Sequence, residues 1–321
     1  MLFMKIIINQ LYPNNILNSI NTINGYININ KSIDWTSNDV VRKLKGLLSV
    51  KKIGHGGTLD PLATGVLPIC LNSATRFSEY ILHGSKSYLA SIKLGESTDT
   101  FDSHGKVTNK KDYSFITKKL IKDTICDLRK LESQMPPMYS ALKHNGVPLY
   151  KLARQGKIIK RKIRQIKIYK IELVNYSLPF LSLRIDCSHG FYVRSFANDL
   201  GEKLGSLGHL VDLERIRAGV FDIKNSIKID DLDDLIKKGE LDNYIMPIDY
   251  TLKHLKKISC DFSQENKIRN GQSISLSSIN QPLVYDEKED IIAYTKENVM
   301  IGLLTFSKKH LELKPKKIIS N

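Results

Sequence analysis

An α+β fold is predicted for this chain of 321 residues, a large domain followed by a small one. Three observations predict it. Period-two alternation recurs in short runs, at Tyr26–Ile29, Lys86–Gly95, Ile166–Val174 and Leu178–Cys187. Apolar residues at helical spacing separate them, at Val40–Leu48, Phe115–Leu131 and Val193–Leu204. The length is enough to bury a real core with a smaller unit beside it.

In order along the chain, Met1–Asn24 carries little signal and is expected to be a loosely held extension. Its apolar part is short and lacks a small-residue cleavage site, so a signal peptide is not expected. In Gly25–Leu48 a strand at Tyr26, Ile27 and Ile29 precedes Thr36, Ser37, Asn38 and Asp39, which offer helix caps. Next comes Lys52–Arg76, KIGHGGTLDPLATGVLPICLNSATR. Gly54, Gly56 and Gly57 surround His55, and glycine lets another molecule approach the backbone closely. A lone carboxylate, Asp60, stands before Pro61, which fixes its own φ and biases Asp60 towards extended backbone. The apolar run Val66–Leu71 follows as a buried strand. These residues describe a pre-set loop presenting one carboxylate and one imidazole. A structural turn in which Asp60 caps Thr64 or its neighbours fits the same residues. No Gly-Lys-Ser/Thr follows, which argues against a phosphate cradle.

Tyr88 begins the strand Lys86–Gly95, and Glu96–Gly105 reads as a loop. Pro136 and Pro137 interrupt Ser133–Lys143, SQMPPMYSALK. From Lys143 to Lys170 there are ten Lys or Arg and no Asp or Glu, with Tyr150 and Tyr169 interleaved. Charge runs usually mark a solvated face, but one this one-sided repels itself unless it meets phosphate. In Ser188–Gly205, Gly190 ends a strand and Phe196, Leu200 and Leu204 set a helix from Val193. Tyr192 and Arg194 therefore sit at a strand-to-helix junction, where side chains can point into a cleft. A surface salt bridge would equally explain Arg194. Ile229–Asp242 is acidic and turn-rich, and Tyr244–Thr251 is a connector. His254–Asn321 reads as a small β-rich module. It has a short helix at Asn266–Gln272, hairpin-like runs around Leu283–Tyr294 and a strand at Val299–Phe306.

The net charge of +16, from 49 basic and 33 acidic residues, favours an anionic partner, nucleic acid first. Because 38 of the 49 are Lys in a chain crowded with Asn and Ile, the distribution of charge carries more weight than its total. Apolar content of 41% and a mean hydropathy of −0.23 suit a soluble globular protein, and no apolar run is long enough to span a membrane. Cys70, Cys126, Cys187 and Cys260 form no CxxC pair and read as reduced, mostly buried thiols of a cytosolic protein. With no dinucleotide fingerprint and no metal cluster, no cofactor is expected.

GHGGTLDPLATGVLP resembles, over its whole length, the signature of the TruB family of tRNA pseudouridine synthases. Further motifs extend the resemblance, in order, from about Gly25 to Asp249. It implies the pseudouridine synthase fold, with a mixed, mostly antiparallel central sheet flanked by helices. The catalytic domain would cover 25–250, with a basic RNA-binding insertion at about 135–170. The module 251–321, through its Asn-Gly-Gln, is similar to PUA-type RNA-binding modules; a plain capping subdomain is the alternative.

The resemblance makes Asp60 the catalytic nucleophile and Arg194 the partner that orients it and keeps it ionised. It makes Tyr88 the aromatic ring on the target base, with a possible part in moving the C5 proton. It has His55 fill space vacated in the RNA, Tyr192 contact the base, and Leu213 supply an apolar contact to the uridine. On sequence alone Tyr88, His55 and Leu213 would be an ordinary strand tyrosine, a turn histidine and a core leucine. Lys31 matches the family's N-terminal lysine; with Lys151, Arg154, Lys160, Arg161 and Lys162 it is expected to meet the RNA backbone. Ser32 stands where Pro is usual, Asp34 where Gly is usual, and Gly56 where Thr is common. The last predicts a more pliable loop.

The activity so implied is isomerisation of the uridine at position 55 in the T loop of tRNAs. It breaks the C1′–N1 bond, turns the base and rejoins it through C5, with no redox step. A carboxylate suffices as nucleophile because it is ionised at neutral pH without an activating base. The expected partner is the tRNA T-arm, over which the insertion closes and without which it is mobile. No protein partner and no membrane are expected; a cytoplasmic monomer is. Two other readings are a non-catalytic tRNA-binding or folding protein and a guide-RNA-dependent synthase within a ribonucleoprotein. A pure binder has no need of a carboxylate facing phosphate. The basic insertion and modest C-terminal module argue for the stand-alone bacterial type.

Overall fold

The computed structural model describes residues 23–48, 50–279 and 285–319. The expected extension up to residue 22, and Leu283 and Val284 of the hairpin-like runs, lie outside them. Six long strands build the central sheet: β1 (Gly25–Lys31), β2 (Thr64–Leu71), β3 (Lys86–Leu94), β4 (Ile168–Ser177), β5 (Phe180–Cys187) and β6 (Gly208–Ala218). Their spatial order is β4-β5-β3-β6-β2-β1, with the two-residue strand Ile227–Lys228 beyond β1. The β2–β6 and β1–Ile227 pairings are parallel and the others along this order antiparallel, so the sheet is mixed and mostly antiparallel.

Burial explains why β2 reads as a nearly unbroken apolar run. It is covered on both faces. Leu67, Ile69 and Leu71 enter the main core with Leu44, Ile92, Leu183, Phe196 and Leu200. Val66 and Cys70 enter a second core with Phe77, Phe221, Ile292 and Leu303. The helices α1 (Ser37–Leu47), α2 (Lys118–Leu128) and α3 (Val193–Lys203) contribute Leu44, Ile121 and Phe196 to the main core. Thr36 caps α1 in a full capping box: its side chain accepts from Asp39 N, and the Asp39 carboxylate accepts from Thr36 N.

Lys256–Ser259, Ile274–Ser275, Asp290–Tyr294, Met300–Ser307 and Glu312–Ile318 form a five-stranded sheet with its own core around Ile258, Ile268 and Leu304. The second core above joins this sheet to the back of the central one. Polar bonds fasten the join: Tyr80 Oη donates to Asp290 Oδ2 (2.6 Å), Tyr294 Oη to Asp249 Oδ2 (2.6 Å) and Lys317 Nζ to Glu79 Oε1 (2.7 Å). Among the described residues no helix is long and apolar enough to cross a membrane. Cys70, Cys187 and Cys260 are buried and Cys126 is exposed, all as free thiols.

Candidate active site

The Asp60 loop leaves the sheet and returns to it within a few residues. Ile53–His55 pairs with the end of β2, setting His55 opposite Ile69. Gly56 N then donates to Pro68 O (2.7 Å), and Ala63 N to Asp60 O (3.0 Å) just before β2 begins. Ser37 Oγ, at the start of α1, accepts from Leu59 N (2.9 Å). A Cβ at Gly56 would lie 2.7 Å from Ile81 Cγ2, so glycine at this position answers a close approach. Gly65 has φ +97°, and a Cβ would lie 2.4 Å from Arg215 O, which excludes any larger residue.

Two buried cations grip this loop from behind. Arg215, on β6, donates from Nε to Val66 O (2.7 Å), from Nη2 to Gly57 O (3.0 Å) and from Nη1 to Thr58 O (3.4 Å). Lys31, at the end of β1, donates to Trp35 O (2.6 Å), Ser32 O (2.9 Å) and Pro61 O (3.3 Å). Lys31 is fully buried, so it is not a residue for the RNA backbone: its ammonium is committed to carbonyl oxygens inside the fold. Burial pulls its pKa down to about 8, against the favourable influence of Asp60 and Asp34. Asp34, standing where glycine is usual, adopts φ +65° and donates its N–H to Pro61 O (2.9 Å). The turn is therefore kept, in a conformation that Asp tolerates better than most residues.

The Asp60 carboxylate faces Arg194 rather than the Thr64 backbone. Oδ2 lies 2.9 Å from Arg194 Nε, with the carboxylate 39% exposed and the guanidinium side chain 5% exposed. The other Arg194 donors are committed. Nη2 donates to Tyr139 O (2.6 Å) and Nη1 to Thr100 O (3.1 Å), and Nη1 lies 3.4 Å from Asp102 Oδ2. Asp102 in turn accepts from Thr100 Oγ1 (2.6 Å) and His104 N (3.1 Å). The guanidinium thus bridges two carboxylates from separate loops, a task for a rigid planar fork of donors.

Arg194 is held by the start of α3. Gln134 bonds both backbone groups of Tyr192, accepting from its N–H (2.8 Å) and donating to its carbonyl (3.1 Å), and Ser195 Oγ donates to Met135 O (2.9 Å). Glu96–Gly105 is not simply a loop. Glu96–Thr98 pairs with Val107–Lys110, and Asp102 bridges to Leu210 at the start of β6. Three polar residues here were not singled out in the sequence: Asp102, Gln134 and Arg215. For Arg215 a signal existed, a charge two positions from Leu213 and so on the same face of the strand.

Tyr88 and Leu213 lie on the neighbouring strands β3 and β6. In the β3–β6 register Tyr88 pairs with Arg215 and Ala90 with Leu213, which sets them on one face of the sheet. Tyr88 is 9% exposed, and burial pushes its hydroxyl up to about 12 against the lowering influence of the Arg215 guanidinium. Burial also raises the pKa of the half-buried Tyr192. The half-buried His55 imidazole is pushed down by burial and by Arg215, which favours its neutral form. Among the described residues no group of three or more His, Cys, Asp or Glu could hold a metal ion.

The basic insertion is closed at its base by a short ladder, Gln134 opposite Arg164 and Ser133 opposite Gln165. Lys151, Arg154, Lys160 and Lys162 are exposed on it, with Arg154 5.7 Å from the Tyr150 ring centre. Arg161 differs. It is half-buried and donates from Nη1 to Pro136 O (2.9 Å), so it ties the insertion to the site wall instead of facing solvent.

Residues 45–193 match the TruB family pseudouridylate synthase N-terminal domain, and residues 194–253 the tRNA pseudouridylate synthase B C-terminal domain. A tRNA pseudouridine synthase B of Dehalococcoides mccartyi is 42% identical over 282 residues, covering 88% of this chain and 92% of that protein. The chain belongs to the TruB family. A second TruB relative, tRNA pseudouridine synthase B of Clostridium kluyveri, is 41% identical and is covered over 95% of its length. Among solved structures, the TruB fold here superposes on a Cbf5-Nop10-Gar1 complex with a TM-score of 0.69 at 25% identity, over 93% of this chain and 84% of the other. It also superposes on an H/ACA RNP bound to a substrate RNA containing 2′-deoxyuridine, with a TM-score of 0.68 at 22% identity, over 92% and 85%.

Proposed function

We propose that this TruB-family chain isomerises the uridine at position 55 in the T loop of tRNAs to pseudouridine, with Asp60 as nucleophile and without a guide RNA. The observation that carries the reading is the half-exposed Asp60 carboxylate paired with the buried Arg194. The target base is stacked in a folded loop and must be extruded, at a cost of a few kcal/mol. Stacking on Tyr88 returns about 1–3 kcal/mol. The neutral His55 imidazole fills the space left in the RNA. Leu213 and Tyr192 contact the extruded uridine.

Asp60 then carries the nucleotide between loss of the C1′–N1 bond and formation of the C1′–C5 bond. Arg194 holds a fixed positive charge against it where the closed site excludes water. C5 gives up its proton and N1 gains one, so the product is an isomer and no cofactor is consumed. Lys151, Arg154, Lys160 and Lys162 supply charge for the T-arm backbone, and release of counterions there contributes to affinity. The Dehalococcoides mccartyi and Clostridium kluyveri relatives named tRNA pseudouridine synthase B align over more than nine-tenths of their own length, which favours the stand-alone tRNA enzyme over the guided type.

The test is pseudouridine formation in an unmodified tRNA transcript by the purified chain alone. The expected result is conversion of one T-loop uridine, and none in a transcript carrying cytidine at that position. Conversion only after a guide RNA is added would overturn the stand-alone reading. Tight binding without conversion would overturn catalysis.

A further inference from the structure

Arg215 is 2% exposed, and among the described residues no Asp or Glu lies within ion-pair distance of it. An unpaired buried charge is costly, and an apolar side chain of similar volume would fill the same space without that cost. What an apolar side chain cannot supply is a fork of donors in fixed directions. That fork is fully aimed. Three nitrogens reach the carbonyls of Val66, Gly57 and Thr58, and across the β3–β6 register Arg215 stands opposite Tyr88, whose hydroxyl feels the guanidinium charge. Val66 belongs to the strand that anchors the loop. Gly57 and Thr58 are the turn that leads into Asp60. Tyr88 is the ring proposed to stack on the target base.

We propose that Arg215 is a positioning residue for the reaction: it ties the turn that carries Asp60 to the tyrosine ring beneath the target base, so that carboxylate and ring move as one body. The inference rests on the reading of Asp60 as the reacting carboxylate. Gly65 lets the β6 backbone at Arg215 come close to the start of β2. Arg194 fixes the carboxylate's charge from the front; Arg215 fixes its distance to the ring from behind and touches neither substrate nor reacting atom.

The test replaces Arg215 by lysine, which keeps the charge and removes the fork. At saturating tRNA the turnover of Arg215→Lys should fall by about 100-fold, as expected of a reacting group displaced by about 1 Å, while tRNA affinity stays within about threefold. Tyr88→Phe and the double variant complete a cycle. If Arg215 acts through Tyr88, the double variant loses no more than the worse single variant. Turnover within about twofold of wild type, or losses that multiply, would overturn the proposal. Hydrogen exchange on the intact wild-type protein tests it even if Arg215→Lys does not fold. Peptides over 53–63, 84–94 and 208–218 should open together, and independent opening of 53–63 would overturn it. That readout needs no turnover, so failure of the proposed activity and failure of this inference are distinguishable.

Discussion

Asp60 has one cation in front of it and two behind it, and each has a separate task. Arg194 faces the carboxylate, Lys31 holds the carbonyl of Pro61, and Arg215 holds those of Gly57 and Thr58. Arg194→Lys leaves one charge but cannot serve Asp60, Asp102, Thr100 O and Tyr139 O together. Turnover should fall by about 100- to 1,000-fold with little change in tRNA affinity, measured by single-turnover conversion beside filter binding. Lys31 makes a prediction with a definite sign. Its folded pKa of about 8 lies below its ordinary 10.5, so between these values the unfolded chain binds the extra proton. Stability from Lys31 therefore rises as pH increases through that window. Denaturant unfolding at pH 7.5 and pH 10 should show wild type gaining on Lys31→Met; an unchanged gap would contradict it. The Asp60–Arg194 pair was legible in the sequence because both residues lie inside long motifs. The burial of Lys31 was not, because a basic residue at the end of a strand reads equally as a surface contact.

At the level of elements, the first helix carries the clearest local code. Thr36 and Asp39 cap it reciprocally, and Ser37 extends from it to the Asp60 loop. Thr36→Ala should cost about 1 kcal/mol of unfolding free energy with an unchanged denaturant slope. Strands β1, β2, β3 and β5 were legible for the same reason, a period of two or a fully apolar run over seven to nine residues. Glu96–Thr98 was not, since three residues are too few for a period to declare itself. Nor was the ladder between Gln134 and Arg164, whose partners lie 30 residues apart and carry no apolar pattern. Much of the site wall is built from such short, distant pairings. Asp60 and Arg194 were therefore easier to single out from the sequence than Gln134 and Asp102, which hold their surroundings in place.

For the molecule as a whole, charge is concentrated where the insertion leaves the wall of the site. Arg161 anchors that insertion, while Lys160 and Lys162 beside it face outwards. Replacing Lys160 and Lys162 by glutamine should weaken tRNA binding with turnover at saturation preserved. The salt slope should fall by about 0.7–0.9 for each phosphate that is no longer neutralised. Hydrogen exchange over residues 143–163 should slow when tRNA binds, because self-repulsion among these cations is relieved only by phosphate. The C-terminal sheet shares a core and several polar bonds with the elements behind the central sheet, so the two are expected to unfold in one transition. The chemistry proposed for the whole molecule depends on the carboxylate of Asp60. Its most direct test is pseudouridine formation in an unmodified tRNA transcript by wild type beside Asp60→Asn, with affinity measured in parallel. Wild type should convert one T-loop uridine, and the variant should bind fully without converting it. Conversion by Asp60→Asn at a rate near wild type would contradict the role of Asp60 as nucleophile.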